Sequence, residues 1–207
     1  MNRRIGLNDI LLTVAIAAVL WFLMFVIQPI NFWLEMSLSI FILLLVAYFK
    51  DHDVIRVKEF HLRYLIIGIT SAMVLYGVFY VGNILSGLLF SFKDAQIALV
   101  YGNKTGTNPY LISALLLFLI GPGEELFWRG FVQKNLSTHF GNQTGFILGV
   151  MLYTAVHIVT GNVMLVIAAF VCGIFWGWIY QKEKNLTPVI ISHCLWDVTV
   201  FVLLPLQ

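Results

Sequence analysis

Apolar runs separated by short polar breakers fill the chain, near 8–28, 33–49, 64–91, 110–137, 143–159, 162–181 and 186–205. A helix needs about 20 residues to cross a hydrocarbon core of about 30 Å, and each run is of that order. The pattern predicts an all-α fold: a polytopic transmembrane helical bundle of about seven spans, with six to eight compatible. Pro29 and Asn31 break the first pair into a tight hairpin, and Gly161 with Asn162 does the same between the fifth and sixth. The runs 64–91 and 110–137 exceed what the core requires, so they tilt, kink or project into water. Between them, 93–109 ends in Gly102-Asn103-Lys104-Thr105-Gly106-Thr107-Asn108-Pro109 and reads as a turn-rich loop.

Composition sharpens this picture. Of 207 residues, 60% are hydrophobic and 11% charged, against about 25% charged in soluble domains. That excludes a soluble fold and leaves residues 1–207 as one integral membrane domain. The net charge of +2 contains no long like-charge block, so no nucleic-acid partner is expected; the bilayer is. The first run is too long for a signal peptide and lacks a small-residue cleavage site, so it is expected to be retained. Cys172 and Cys194, both inside apolar runs, read as reduced packing residues. The aromatic residues, Trp21, Trp33, Trp128, Trp176, Trp178 and Trp196 among them, read mostly as packing and interfacial anchors.

The placement of charge sets an orientation. With the N-terminus in the cytoplasm, Arg3, Arg4, Lys50, Arg56, Lys58, Arg63, Lys134, Lys182 and Lys184 fall inside, and only Lys93 and Lys104 outside. An odd span count then puts the C-terminus outside. The segment 50–63, with both signs, is expected to be a cytoplasmic loop or short interfacial helix. No inverted repeat of the transporter kind is evident.

Ionisable residues within spans cost free energy and generally serve function or a partner. They gather in three places. In Gly121-Pro122-Gly123-Glu124-Glu125-Leu126-Phe127-Trp128-Arg129 two carboxylates follow a helix-disrupting Gly-Pro-Gly. Glu125 and Arg129, four apart, share a helix face and can pair. Glu124 points about 100° away, without that partner, and is the candidate general base acting on water. His157 lies about as far beyond the Gly141-Asn142 turn as Glu124 lies before it, so an antiparallel hairpin brings both to one depth and one cavity. In the last span His193 and Asp197 share a face. Two histidines and several carboxylates, with no serine in a strained turn, argue for activated water rather than an acyl-enzyme; a Cys194 nucleophile is disfavoured. Each feature also has a structural reading: an ion pair, a packed histidine, a helix-stabilising pair. Their coincidence on three helices favours function.

Glu124-Glu125-x-x-x-Arg129, Tyr153-x-x-x-His157 and His193-x-x-x-Asp197 together resemble the ordered motifs of the CAAX-protease and bacteriocin-processing membrane family, also called the Abi family. The resemblance covers about the last hundred residues, within 110–207. It implies an intramembrane endopeptidase, with a site open to one membrane face, cutting a peptide precursor or membrane protein. Glu124 with His157 would activate water, His193 with the residue at 197 would steady the oxyanion, and Glu125 with Arg129 would hold the motif helix. Compact architecture and the resemblance suggest a bacterial cell-membrane protein, with bacteriocin processing or self-immunity as a role and cleavage expected near the cytoplasmic face. Two departures stand out. Tyr153 replaces the family's usual phenylalanine, adding a hydroxyl near His157. Asp197 replaces an asparagine, and an ionised carboxylate can only accept a hydrogen bond where an amide could donate one. Zinc, held by Glu124, His157, His193 and Asp197, and a metal-free route both stay open, with Asp197 tilting slightly toward metal. The rival readings are a non-catalytic immunity or scaffold protein and a proton-coupled transporter.

Overall fold

The computed structural model describes residues 5–55 and 61–206. Arg3, Arg4, Arg56 and Lys58, which contribute to the charge bias, lie outside the described residues, as does most of the polar stretch after residue 55. The rest is helical, with no strand among the described residues. The helices are α1 Leu7–Ile27, α2 Phe32–Lys50, α3 Leu62–Leu89, α4 Lys93–Gly102, α5 Pro109–Phe140, α6 Asn142–Ile158, α7 Val163–Glu183 and α8 Thr187–Leu203. Five of them, α1, α2, α3, α5 and α7, are long and apolar enough to cross a membrane. The remaining full-length rods, α6 and α8, have 17 and 17 residues, about 25 Å at 1.5 Å per residue.

Polar contacts mark the two ends of the bundle. At one end Lys50 bonds Asp9 at 2.6 Å, Lys134 bonds Asp51 at 2.8 Å, Arg63 bonds Glu183 at 2.8 Å, and His139 meets the Ile5 carbonyl at 2.6 Å. At the other, Trp33 donates to the Asn103 carbonyl, Lys104 to the Phe201 carbonyl and Asn162 to the Gln96 carbonyl, at 2.9, 2.8 and 2.8 Å. The Leu206 amide donates to the Tyr101 hydroxyl at this second end. The first described residues and the last therefore lie at opposite ends of the bundle.

Two local expectations need correction. The segment 93–109 is not all loop, because α4 is a ten-residue helix. Its Gln96 side chain accepts from the Met164 amide, tying α4 to the start of α7. Nor does Gly121-Pro122-Gly123 disrupt α5. The helix runs through it with π-helical turns on either side, at Leu116–Ile120 and Leu126–Gln133, the first of them where Pro122 removes a donor from the ladder. The Leu117 carbonyl beside this point accepts from the Cys194 thiol at 3.5 Å. The glycines have a packing reason. A Cβ on Gly121 would stand 2.7 Å from Cys194 Sγ, and one on Gly123 would collide with Ile40 of α2. Their absent side chains let α2 and α8 close onto the stretch of α5 that carries the carboxylates. Cys172 and Cys194 are free and buried, as expected.

Candidate active site

The cavity at the centre of the bundle has a volume of about 310 Å³, and Glu124, Tyr153, His157, His193 and Asp197 all face it. Its remaining wall is mostly aromatic and aliphatic side chains from α1, α2, α3, α4 and α7. The three motifs that the sequence separates thus converge on one chamber. Glu124, His157, His193 and Asp197 are each at most 6% exposed, so polar groups here must find partners within the protein.

Glu125 is fully buried, and its Oε1 atom takes two bonds. Arg129 Nη1 donates to it at 2.9 Å and His193 Nδ1 at 2.7 Å. Spacing on α5 foretold the arginine; the histidine arrives from α8, 68 residues away. Arg129 is further engaged by the Cys172 carbonyl at 3.4 Å and stands over the Tyr153 ring at 4.8 Å. His193 stacks on Trp176 with centroids 3.8 Å apart, and its Nε2 lies 3.4 Å from Asp197 Oδ2. Trp176 is in turn anchored by its N–H to Ser192 Oγ. Glu125 and Arg129 therefore fix the imidazole of His193 as well as their own helix.

Glu124 takes no part in that ion pair. Its Oε2 accepts from the Tyr153 hydroxyl at 3.3 Å. The hydroxyl that distinguishes Tyr153 thus reaches Glu124 across the α5–α6 interface. His157 sits one turn further along α6. Its Nδ1 lies 2.8 Å from the Tyr153 carbonyl and its Nε2 3.1 Å from the indole nitrogen of Trp21. A carbonyl only accepts and an indole N–H only donates. The proton must therefore sit on Nδ1, leaving the Nε2 lone pair to receive Trp21. This contact comes from α1 and spans 136 residues of sequence. Trp21 is buried as a packing residue should be, yet it also caps a site histidine, which no local pattern announces.

The residues do not form a metal-ligand set. Among the described residues no three His, Cys, Asp or Glu side chains converge as they would around an ion. The ring nitrogens of His157 and the Nδ1 of His193 already face protein partners.

The cavity also bears on orientation. It occupies the half of the bundle nearer α4, with Asn83, Tyr101, Asn103 and Phe201 in its wall, and no residue from the end that gathers Lys50, Arg63, Lys134 and Lys184. The charge bias would put that cationic end in the cytoplasm. Two expectations drawn from the sequence, a cytoplasmic N-terminus and a site opening near the cytoplasmic face, therefore pull in opposite directions.

Buried paired carboxylates and two histidines around one chamber in a bundle of apolar helices are the arrangement the site presents. Similarity to known proteins carries the assignment one step further. Residues 106–199, the stretch that holds all three motifs, match the family model described as type II CAAX prenyl endopeptidase Rce1-like. No curated protein and no solved structure matches the chain. The first four helices lie outside the matched stretch.

Proposed function

We propose that this protein is a membrane-embedded endopeptidase in which Glu124 activates water for attack on a peptide carbonyl. The observation that carries this reading is the division of labour between adjacent glutamates. Glu125 is locked by Arg129 and His193, while Glu124 faces the cavity with a single hydroxyl donor on it. A free carboxylate beside a chamber large enough for a peptide segment is what general-base hydrolysis requires.

In this scheme the carbonyl carbon is attacked by water as its proton passes to Glu124. The tetrahedral intermediate then collapses with cleavage of the C–N bond, and the proton held on Glu124 passes to the leaving amine. His157, with Nε2 as acceptor, orients the water once Trp21 yields that position. His193 and Asp197 line the same cavity from α8, and Glu125 with Arg129 keeps His193 in place. Burial excludes bulk water, which strengthens each of these contacts.

The substrate is a peptide or membrane-protein segment that enters an apolar chamber from within the bilayer. The family description supports a prenylated C-terminal peptide as the first to try, with bacteriocin or signalling-peptide precursors beside it. The charge bias supports a cytoplasmic N-terminus. The test is cleavage of a panel of fluorophore-quenched peptides, prenylated and unmodified, by the detergent-purified chain, with Glu124→Gln as the comparison.

A further inference from the structure

Attack on a peptide carbonyl turns its oxygen into an oxyanion, and a hydrogen-bond donor aimed at that atom is commonly a large contributor to rate. The four ionisable groups at the cavity have their polar atoms turned largely toward one another or toward neighbouring protein groups, His193 Nε2 the most loosely at 3.4 Å from Asp197. Glu124 must accept a proton. The Nδ1–H of His157 is committed to the Tyr153 carbonyl, and Nε2 carries a lone pair. The Nδ1–H of His193 is committed to Glu125, and Nε2 lies against Asp197. Asp197, when ionised, only accepts.

The other donors in the wall narrow the choice. Trp21 N–H is engaged by His157 at 3.1 Å. Trp196 N–H has no partner, and its nitrogen is buried. Trp176 N–H is held by Ser192. The donor that stands against Glu124 itself is the hydroxyl of Tyr153, at 3.3 Å.

We propose that Tyr153 is a catalytic residue whose hydroxyl turns from Glu124 to the carbonyl oxygen of the substrate and stabilises the oxyanion, a part Asp197 cannot play as a carboxylate. The geometry suits the exchange. At 3.3 Å the bond from Tyr153 to Glu124 is longer than the 2.5–3.0 Å usual for O–H···O, so releasing it costs little. The phenol stands beside the base, so one carbonyl can meet both the activated water and the donor. Arg129, 4.8 Å from the ring centroid, draws electron density from the phenol and makes it the stronger donor. Tyr153 keeps its proton throughout, so the balance of the hydrolysis is unchanged.

The inference rests on the general-base reading of Glu124, and its test separates the two. Using the quenched peptide panel, Tyr153→Phe is expected to lower kcat by about 10²-fold with KM little changed, the loss found when a single oxyanion donor is removed. Adding Asp197→Asn to Tyr153→Phe is expected to return kcat to within about tenfold of wild type, because the amide N–H can donate into the same cavity. Difluorotyrosine at position 153, which keeps shape and donor, is expected to retain cleavage and guards against a folding artefact. Tyr153→Phe cutting at the wild-type rate, or a double variant no faster than Tyr153→Phe alone, would overturn the assignment. Glu124→Gln in the same assay reports separately on the base: wild-type cleavage there would remove the scheme on which the inference rests.

Discussion

Replacing Arg129 with methionine probes the buried network at its most loaded point. The variant keeps the length and apolar stem of the side chain but removes the bond to Glu125 at 2.9 Å, the contact with the Cys172 carbonyl and the cation over the Tyr153 ring. Glu125 remains fully buried, with Oε2 already lacking a partner and only His193 left on Oε1. Removing one member of a buried pair costs about 3–5 kcal/mol, because the survivor is an uncompensated charge out of water. At about 2–4 °C per kcal/mol for a chain of this size, Tm should fall by about 6–20 °C. The assay is thermal unfolding of the purified protein in detergent, followed by tryptophan fluorescence. Glu125→Gln combined with Arg129→Met should cost less than the two single changes summed, by more than about 1 kcal/mol, since the double variant leaves no orphaned charge. A Tm for Arg129→Met within about 2 °C of wild type, or additivity within about 0.5 kcal/mol, would refute this account of the network.

Three further outcomes are expected. Thr105 and Lys182 are exposed at opposite ends of the bundle, and the native cysteines are buried; by the charge bias, an impermeant maleimide should label Thr105→Cys on intact cells and Lys182→Cys only after permeabilisation, and the reverse would put the cavity half in the cytoplasm. At the cationic end burial pushes the Asp51 carboxyl up, but hydrogen bonds from Lys134 and Asn135 outweigh it and hold the group below its ordinary value. A depressed folded-state pKa gives stability above the unfolded value of about 3.9 that disappears as pH falls through the folded one, so Asp51→Asn should lower Tm at pH 7 and leave it unchanged near the acid limit. Trp21→Phe removes the donor that occupies His157 Nε2 while keeping an aromatic filling; cleavage should proceed at or above the wild-type rate, and a loss as deep as that of His157→Ala would mean that Trp21 has a direct part in the chemistry.

How much of the molecule is legible in its sequence depends on how local each signal is. The long rods, the hairpin at Pro29 to Asn31 and the turn at Gly141 are written in runs and breakers a few residues wide. Gln28 and Gly141 indeed take the positive φ values, 49° and 84°, that close those turns. Glu125 with Arg129 is visible because four residues on a helix make a face, and the shared depth of Glu124 and His157 because a hairpin is symmetric about its turn. The helix α4 escapes detection because ten residues with a lysine and an aspartate among apolar ones carry no span signal and flank a true turn. The continuity of α5 escapes it because π-helical turns, not composition, absorb Pro122. Trp21 on His157 and His193 on Glu125 join positions 136 and 68 residues apart, where periodicity says nothing.

The central claim is that Glu124 is the base of a peptide-bond hydrolase, and one measurement meets it directly: cleavage of the prenylated and unmodified peptide panel by purified wild-type and Glu124→Gln protein, with and without a zinc chelator. Cleavage by the wild type that the chelator leaves unchanged and that Glu124→Gln abolishes is the result this account predicts. A wild-type protein that cuts no peptide, together with a Glu124→Gln variant that still performs the protein's cellular role, would contradict it and leave a membrane-bound binding protein in its place.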